Sequence, residues 1–416
     1  MSDKERREMY RALFLVNFFA CLGLGIADPF FPVYAASGGA SGFHLALIFS
    51  GYAAAKILFS PMSGWWSDRR GRRRLLVSGL VLQSSVALGY LFLPGPSGLI
   101  ALRFLQGIAA AFIRPVSLAV VGDIAPERRE GSAMGTFDIS FYAALAIGPV
   151  LGGFVHDASG FRGVFLCLFG LCLLSLVTAL LFVREHGEEK GAPAPTRLDW
   201  AALGKSRTLI GLCGFIFARS FGIAYFVIFL PILMNGTLRL TGPEIGAVMG
   251  ANTIVTALLL RPMGRLSDRV RRDRLVAAGG VLAALSTLSL PQAGTFPQLL
   301  ALSVFLGIAG ALSTPASAAL LVEEGGRRGM GLTMGVFNCA MNLGAVLAPL
   351  AGGVAFGFFG LESLYIGAGI LGLAGTGFFL LMAPPAALHR KERYNGIPPT
   401  ISGAPTLAVN RVRQEG

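Results

Sequence analysis

Apolar residues run through this chain in long blocks, and the polar residues collect in short stretches between them. Most blocks approach or exceed the roughly 20 residues that a helix needs to cross a hydrocarbon core. The pattern predicts twelve spans. Six fall at residues 11–35, 44–66, 75–93, 97–122, 132–156 and 161–183, and six at 208–234, 243–264, 275–291, 297–322, 331–357 and 361–383. An even number of spans leaves both ends of the chain on one side, and the loops then alternate between sides.

The arginines test that alternation. On the side of the termini fall Arg6, Arg7 and Arg11, Arg69 to Arg74, Arg128 and Arg129, Arg184 to Arg207, Arg265 to Arg274, Arg327 and Arg328, and Arg390 onward. The loops of the opposite side hold Arg162 and Arg239. Cytoplasmic loops are enriched in Lys and Arg, so both termini are expected in the cytoplasm and the chain in the cell (inner) membrane. The same distribution explains the net charge of +13 without nucleic acid. With 54% hydrophobic and 14% charged residues and a mean hydropathy of +0.67, the chain is outside the range of soluble domains. Met1–Arg11 is charged, but the run behind it is far too long for a signal-peptide core, so no cleavable signal is expected.

A charged hairpin, Gly64-Trp65-Trp66-Ser67-Asp68-Arg69-Arg70-Gly71-Arg72-Arg73-Arg74, lies between the second and third spans. Two hundred residues on, Gly264-Arg265-Leu266-Ser267-Asp268-Arg269-Val270-Arg271 occupies the same place between the eighth and ninth. Gly107-Ile108-Ala109, Pro115, Ser117 and Met134-Gly135 recur at that offset as Gly307-Ile308-Ala309, Pro315, Ser317 and Met334-Gly335. Gly148-Pro149-x-x-Gly152-Gly153 recurs as Ala348-Pro349-x-x-Gly352-Gly353. Matches at one constant offset mark two homologous halves. Six spans is an even number, so the halves have parallel topology. The expected fold is an all-α membrane protein of twelve transmembrane helices, in two six-helix halves around a central cavity. Its parts are a cytoplasmic N-terminus at 1–10, halves at 11–183 and 208–383, a linker at 184–207 and a disordered cytoplasmic tail at 384–416.

Gly-x-x-Ser-Asp-Arg-x-Gly-Arg-Arg at 64–73 is similar to the signature loop of the major facilitator superfamily. Arg103-x-x-Gln106-Gly107 resembles that superfamily's fourth-helix motif. Gly148, Pro149, Gly152 and Gly153 resemble the fifth-helix motif of its drug:proton antiporter branch, with Ala144 where that motif usually has Gly. The resemblance covers residues 11–383. It implies a cavity lined mainly by the first, fourth, seventh and tenth helices, and a gate in which Asp68 meets the start of the eleventh helix. Gly64, Asp68, Arg69, Gly71 and Arg72 would form that gate, joined by Asp123 and Arg128, with Asp268 as the second-half copy. The fifth and eighth helices would meet across the halves, making Asp138–Arg261 a candidate latch. An aspartate near a helix start also satisfies the helix dipole.

Charges inside spans are the strongest functional signal, because a buried ion costs several kcal/mol unless it is paired or wetted. Asp28 lies in the first span, where Pro29 and Pro32 interrupt the helix. The depth of each residue along its span brings Asp28 level with Arg103 of the fourth, and the two are expected to pair across the cavity until Asp28 is protonated. Arg114 lies eleven residues beyond Arg103, within about 20° of the same helix face. Gln106 lies between them. Lys56 and Arg219, near the middle of the second and seventh spans, either bind an anionic group or counter a carboxylate. Lys56 has a third course, to snorkel to the interface. Tyr225 lies nearly two turns beyond Arg219, and Lys56, Gln106, Arg114, Arg219 and Tyr225 are expected to line the substrate cavity.

No Gly-rich phosphate loop, metal-ligand spacing or nucleophile elbow is present, so the chain is expected to be no enzyme and to use no cofactor or metal. The reading is a secondary transporter, a monomer whose partners are the bilayer, protons and a small amphipathic cargo moved outward by alternating access. Uptake or lipid-type translocation is the alternative within this class. A non-transporting membrane sensor or assembly factor is the alternative outside it, and the lack of an extra folded domain argues against that.

Overall fold

A computed structural model describes residues 3–93, 95–124, 130–184, 206–328 and 330–383. The linker at 185–205, Arg128 and the tail at 384–416 lie outside the described residues.

The helices are α1 (Asp3–Ala27), α2 (Phe31–Ser37), α3 (Gly42–Arg70), α4 (Arg72–Phe92), α5 (Pro96–Ile124) and α6 (Glu130–Phe182) in the first half. The second half has α7 (Arg207–Ile228), α8 (Leu230–Gly236), α9 (Gly242–Ser267), α10 (Arg272–Ser289), α11 (Phe296–Arg328) and α12 (Met330–Met382). Ten of these are long and apolar enough to cross a membrane. Two of the ten, α6 and α12, have 53 residues each. At about 1.5 Å per residue each is more than twice the thickness of a hydrocarbon core. Both break in the middle, at Gly160 (φ 64°) and Gly360 (φ 76°), in backbone conformations only glycine adopts without strain. Each therefore contributes two passes, giving twelve. The two breaks stand at the same offset as the sequence repeat.

The ends of the first and seventh passes also match. Each continuous helix stops and a short one follows a prolyl turn, α2 after Asp28-Pro29-Phe30 and α8 at Phe229. The α1 helix begins at Asp3, well before the expected 11. The first charged hairpin is also tighter than expected. The α3 helix runs through Gly64 to Arg70, and Gly71 alone reverses the chain (φ 96°, ψ 134°). Arg271 stands in its place in the second half with φ −57°, and there α9 unwinds after Ser267 to make the turn.

The hydrophobic packing shows how the halves are disposed. Away from the termini, one apolar core is shared by both halves, running from Phe30, Phe31 and Ile48 to Phe229, Ile245 and Tyr365. Toward the termini the cores are separate. Leu13, Leu80, Val120 and Phe137 pack within the first half, and Leu212, Val276, Leu321 and Phe379 within the second. The bundle is therefore closed at its distal end and parted at its terminal end.

Distal closure is made by small residues in two equivalent crossings. Gly153 of α6 lies against Gly242 of α9, and Pro149 against Gly246. On the other side of the bundle Gly353 of α12 lies against Gly42 of α3, where an added methyl would sit 2.5 Å from the Gly353 carbonyl oxygen. The Ser50 hydroxyl donates to the Val346 carbonyl at 2.7 Å in the same seam. Gly148 and Gly152 pack within their own half, on Gly25 and Ile26 of α1. The last glycine of the repeated motif, Gly153 and Gly353, thus does the same work in both halves: it lets two backbones touch.

Candidate functional site

Arg103 is 3% exposed and sits where α5 faces the α1–α2 turn. Its Nη1 donates to Asp28 Oδ1 at 3.0 Å and to Gln106 Oε1 at 2.8 Å. The Tyr90 hydroxyl donates to the same Gln106 oxygen at 2.9 Å. The guanidinium plane lies 3.8 Å over the Phe31 ring, and its Nε and Nη2 are buried without a hydrogen-bond partner. One face of this cation is thus spent on an aromatic ring and one edge on Asp28. Asp28 is different: its side chain is 39% exposed and lines the main cavity. The pair couples a sealed cation to an accessible carboxylate.

A second pair lies toward the terminal end. Arg114 Nη2 meets Asp138 Oδ1 at 3.0 Å, with the guanidinium 3.8 Å from the Phe141 ring centroid. The expected Asp138–Arg261 latch is not made. The halves part at this end, so Asp138 closes on its own half and Arg261 is exposed. Lys56 is exposed as well, and its charge acts on Arg114 and on the Cys21 thiol. Cys21 and Asn17 lie between the two ion pairs on one face of α1, the Asn17 amide donating to Ser140 Oγ at 2.7 Å.

The cavity has a volume of about 390 Å³ and lies between the halves. Asp28 and Arg219 line it from opposite sides, but α5 does not, contrary to the expected set of helices. The polar face of α5 is already turned onto neighbours within its half, through Arg103, Gln106 and Arg114. The eighth, ninth and twelfth passes line the cavity instead, through Asn252, Thr287 and Thr376 among others. Gln106 is 1% exposed within the Arg103 network. Tyr225 is buried between the Phe221 and Phe229 rings and does not reach the cavity. Arg219 donates to the Ser313 hydroxyl.

Of the gate residues, Arg72 pairs with Asp123 at the terminal end. Arg69 and Asp268 are exposed there, and the side chain of Asp68 lies outside the described residues.

Sequence reasoning missed Asp157. It follows Gly153 by one helical turn on α6, and both carboxylate oxygens accept from the Gly242 amide, at 3.0 and 3.2 Å. That amide opens α9, so an anion sits on the positive end of a helix of the other half. Thr241 and Glu244 cap the same helix. The signal for Asp157 was its place at the distal end of the fifth pass, facing the start of the eighth. Asp157→Ala removes a charge-assisted contact of about 1.5–3 kcal/mol. It is expected to raise the distally open population about tenfold, read as a longer distance between spin labels at Ser37 and Thr237. An unchanged distance distribution would remove Asp157 from the closure.

Two related six-pass halves around a cavity, closed at one end and with ion pairs inside the bundle, have the architecture of a membrane transporter. A family model of the Major Facilitator Superfamily matches residues 13–221 and again 212–413, and the chain belongs to that superfamily. Among its relatives is the multi-drug resistance efflux pump PmrA of Streptococcus pneumoniae, 25% identical over 88% of this chain and 93% of that one. Multidrug resistance protein 2 of Bacillus subtilis is 25% identical over 91% of this chain and 96% of that one. A bacterial homolog of the human lysosomal transporter Spinster, in an inward-facing and occupied conformation, shares the fold. The TM-score is 0.77 at 16% identity, over 92% of this chain and 97% of that chain.

Proposed function

We propose that this transporter exports small amphipathic molecules in exchange for protons, with the terminal end facing the cytoplasm. The observation that carries the reading is the Asp28–Arg103 pair: a carboxylate open to the cavity, held by a cation that is not. With Asp28 ionised, the pair ties α5 to the turn between α1 and α2. Proton uptake leaves Arg103 its ring and Gln106 but removes its counter-charge, and the turn is free to shift. Because α2 and α8 belong to the shared distal core, a shift there loosens distal closure. Asp28 thus titrates, Arg103 opposes it, and the halves at 11–183 and 208–383 rock about the cavity as a monomer. Arg72 and Asp123, with Asp68 and Arg128, close the cytoplasmic end in the opposite state. The name of one relative, a multi-drug resistance efflux pump, supports the direction.

Cells expressing the chain are expected to retain less of an amphipathic fluorescent dye than cells expressing Asp28→Asn, and a proton uncoupler is expected to abolish the difference. Equal retention in both, across cationic, neutral and anionic dyes, would contradict the reading.

A further inference from the structure

The cavity wall carries two formal charges among the described residues, and they are opposite in sign. Asp28 stands on the first half and Arg219 on the second. Arg219 has no carboxylate within ion-pair distance among the described residues; the Ser313 hydroxyl is its hydrogen-bond partner. A guanidinium held this way inside a membrane bundle costs several kcal/mol unless an anion or water meets it. The threonines of the wall do not supply a counter-charge, and three of them have their protons committed. Thr256 donates to the carbonyls of Asn252 and Gly307, Thr287 to Ala283, and Thr376 to Gly372. Gly310 leaves a notch beside the guanidinium, since a methyl there would sit 3.1 Å from Thr256 Oγ1 and 3.3 Å from Arg219 Nη2. Much of the rest of the wall is apolar, with Phe215, Ile223, Phe226 and Met249, and Asn252 is among its uncharged polar groups.

We infer that the preferred cargo is a zwitterionic amphiphile, its anionic group on Arg219 in the Gly310 notch and its cationic group on Asp28, with an apolar body between. This rests on the export reading and extends it. The cargo's cation and the proton compete for one carboxylate, which is the exclusion an exchanger requires. The cargo's anion supplies the partner that Arg219 lacks. Because the two charges belong to different halves, a cargo carrying both bridges the halves, and one carrying a single charge does not.

Three forms of one environment-sensitive fluorophore test this with the purified full-length protein in lipid nanodiscs. They are Nα-dansyl-lysine, whose carboxylate and ε-ammonium stand at opposite ends of its four-carbon chain, its methyl ester, which keeps only the cation, and its Nε-acetyl derivative, which keeps only the anion. The zwitterion is expected to bind at least about tenfold tighter than either, one charge-assisted contact being worth that much. In Arg219→Gln the zwitterion-to-ester ratio falls to about one, and in Asp28→Asn the zwitterion-to-acetyl ratio does the same. Arg219→Lys, which keeps the charge, retains part of the preference and guards against a folding defect. Equal affinities in the unmodified protein, or a uniform weakening of all three probes in Arg219→Gln, would overturn the assignment. Proton movement in proteoliposomes separates it from the export reading. If the ester exchanges for protons and the zwitterion shows no advantage, the zwitterion site falls and export stands. Preference for the zwitterion with no proton movement leaves the site and removes the exchange.

Discussion

Asp28→Asn is expected to reduce proton-driven export at least about tenfold while leaving downhill exchange of cargo for cargo in place. The amide is the size of the carboxylate and still offers Arg103 an acceptor oxygen, so the geometry at 3.0 Å survives. What goes is the charge and the ability to titrate. Asparagine takes up no proton and holds the cargo's cation more weakly, so the carrier still shuttles cargo down its own gradient without coupling it to protons. Losing the charge from the pair costs on the order of 1–3 kcal/mol of stability, because Arg103 is left sealed among Phe31, Phe49 and Gln106. Arg103→Ala is the harsher change, since it also leaves a cavity and takes one of two donors from the Gln106 carbonyl. Flux assays with and without a pH gradient separate the two activities. Loss of both in a well-folded Asp28→Asn protein, at cargo concentrations that saturate it, would remove Asp28 from the coupling.

Bulk at the distal crossings is expected to have a comparably large effect by another route. A side chain at Gly153 meets backbone, with the Gly242 carbonyl carbon 2.5 Å and the Pro243 nitrogen 2.7 Å from an added methyl. Backbone does not rotate aside as a side chain does, so α6 and α9 must separate. Overpacking of this kind costs about 1–3 kcal/mol, and it falls on the distally closed state alone. Gly153→Val and its repeat partner Gly353→Val are each expected to drive the bundle toward the distally open form and to slow transport at least about tenfold. Gly170→Val is the control, because a methyl there meets nothing within 4 Å. The same spin-label pair at Ser37 and Thr237 reads the shift. If both crossing variants keep a closed distal end, the small residues serve folding and not the cycle.

The twelve passes were legible because a hydrocarbon core imposes its length on every crossing. The repeat located the breaks at Gly160 and Gly360 to within a residue or two, since each half carries the same turn. Asp28 and Arg103 were legible for a related reason: the depth of a residue along its span is simple arithmetic, and two opposite charges at one depth in a low-dielectric bundle tend to meet. Lateral relations were harder. Helical periodicity put Arg114 beside Arg103, but not opposite Asp138, because whether Asp138 turns to α5 or to Arg261 of the other half depends on how far the halves have parted. The cavity wall was the least legible part. Empty space is defined by Gly222, Gly280, Gly310 and a scatter of threonines, and none of them carries a charge or a motif to mark it. Asp157 was hidden likewise, since its partner is a backbone amide rather than a side chain.

The most direct test of proton-for-cargo exchange through Asp28 uses the purified chain alone in proteoliposomes, with a pH indicator sealed inside. A cargo gradient is imposed without any pH gradient. The account calls for protons to move against the cargo, at a rate that saturates with cargo concentration and vanishes in Asp28→Asn. Cargo flux with no proton movement, or proton movement in the same direction as the cargo, would contradict it.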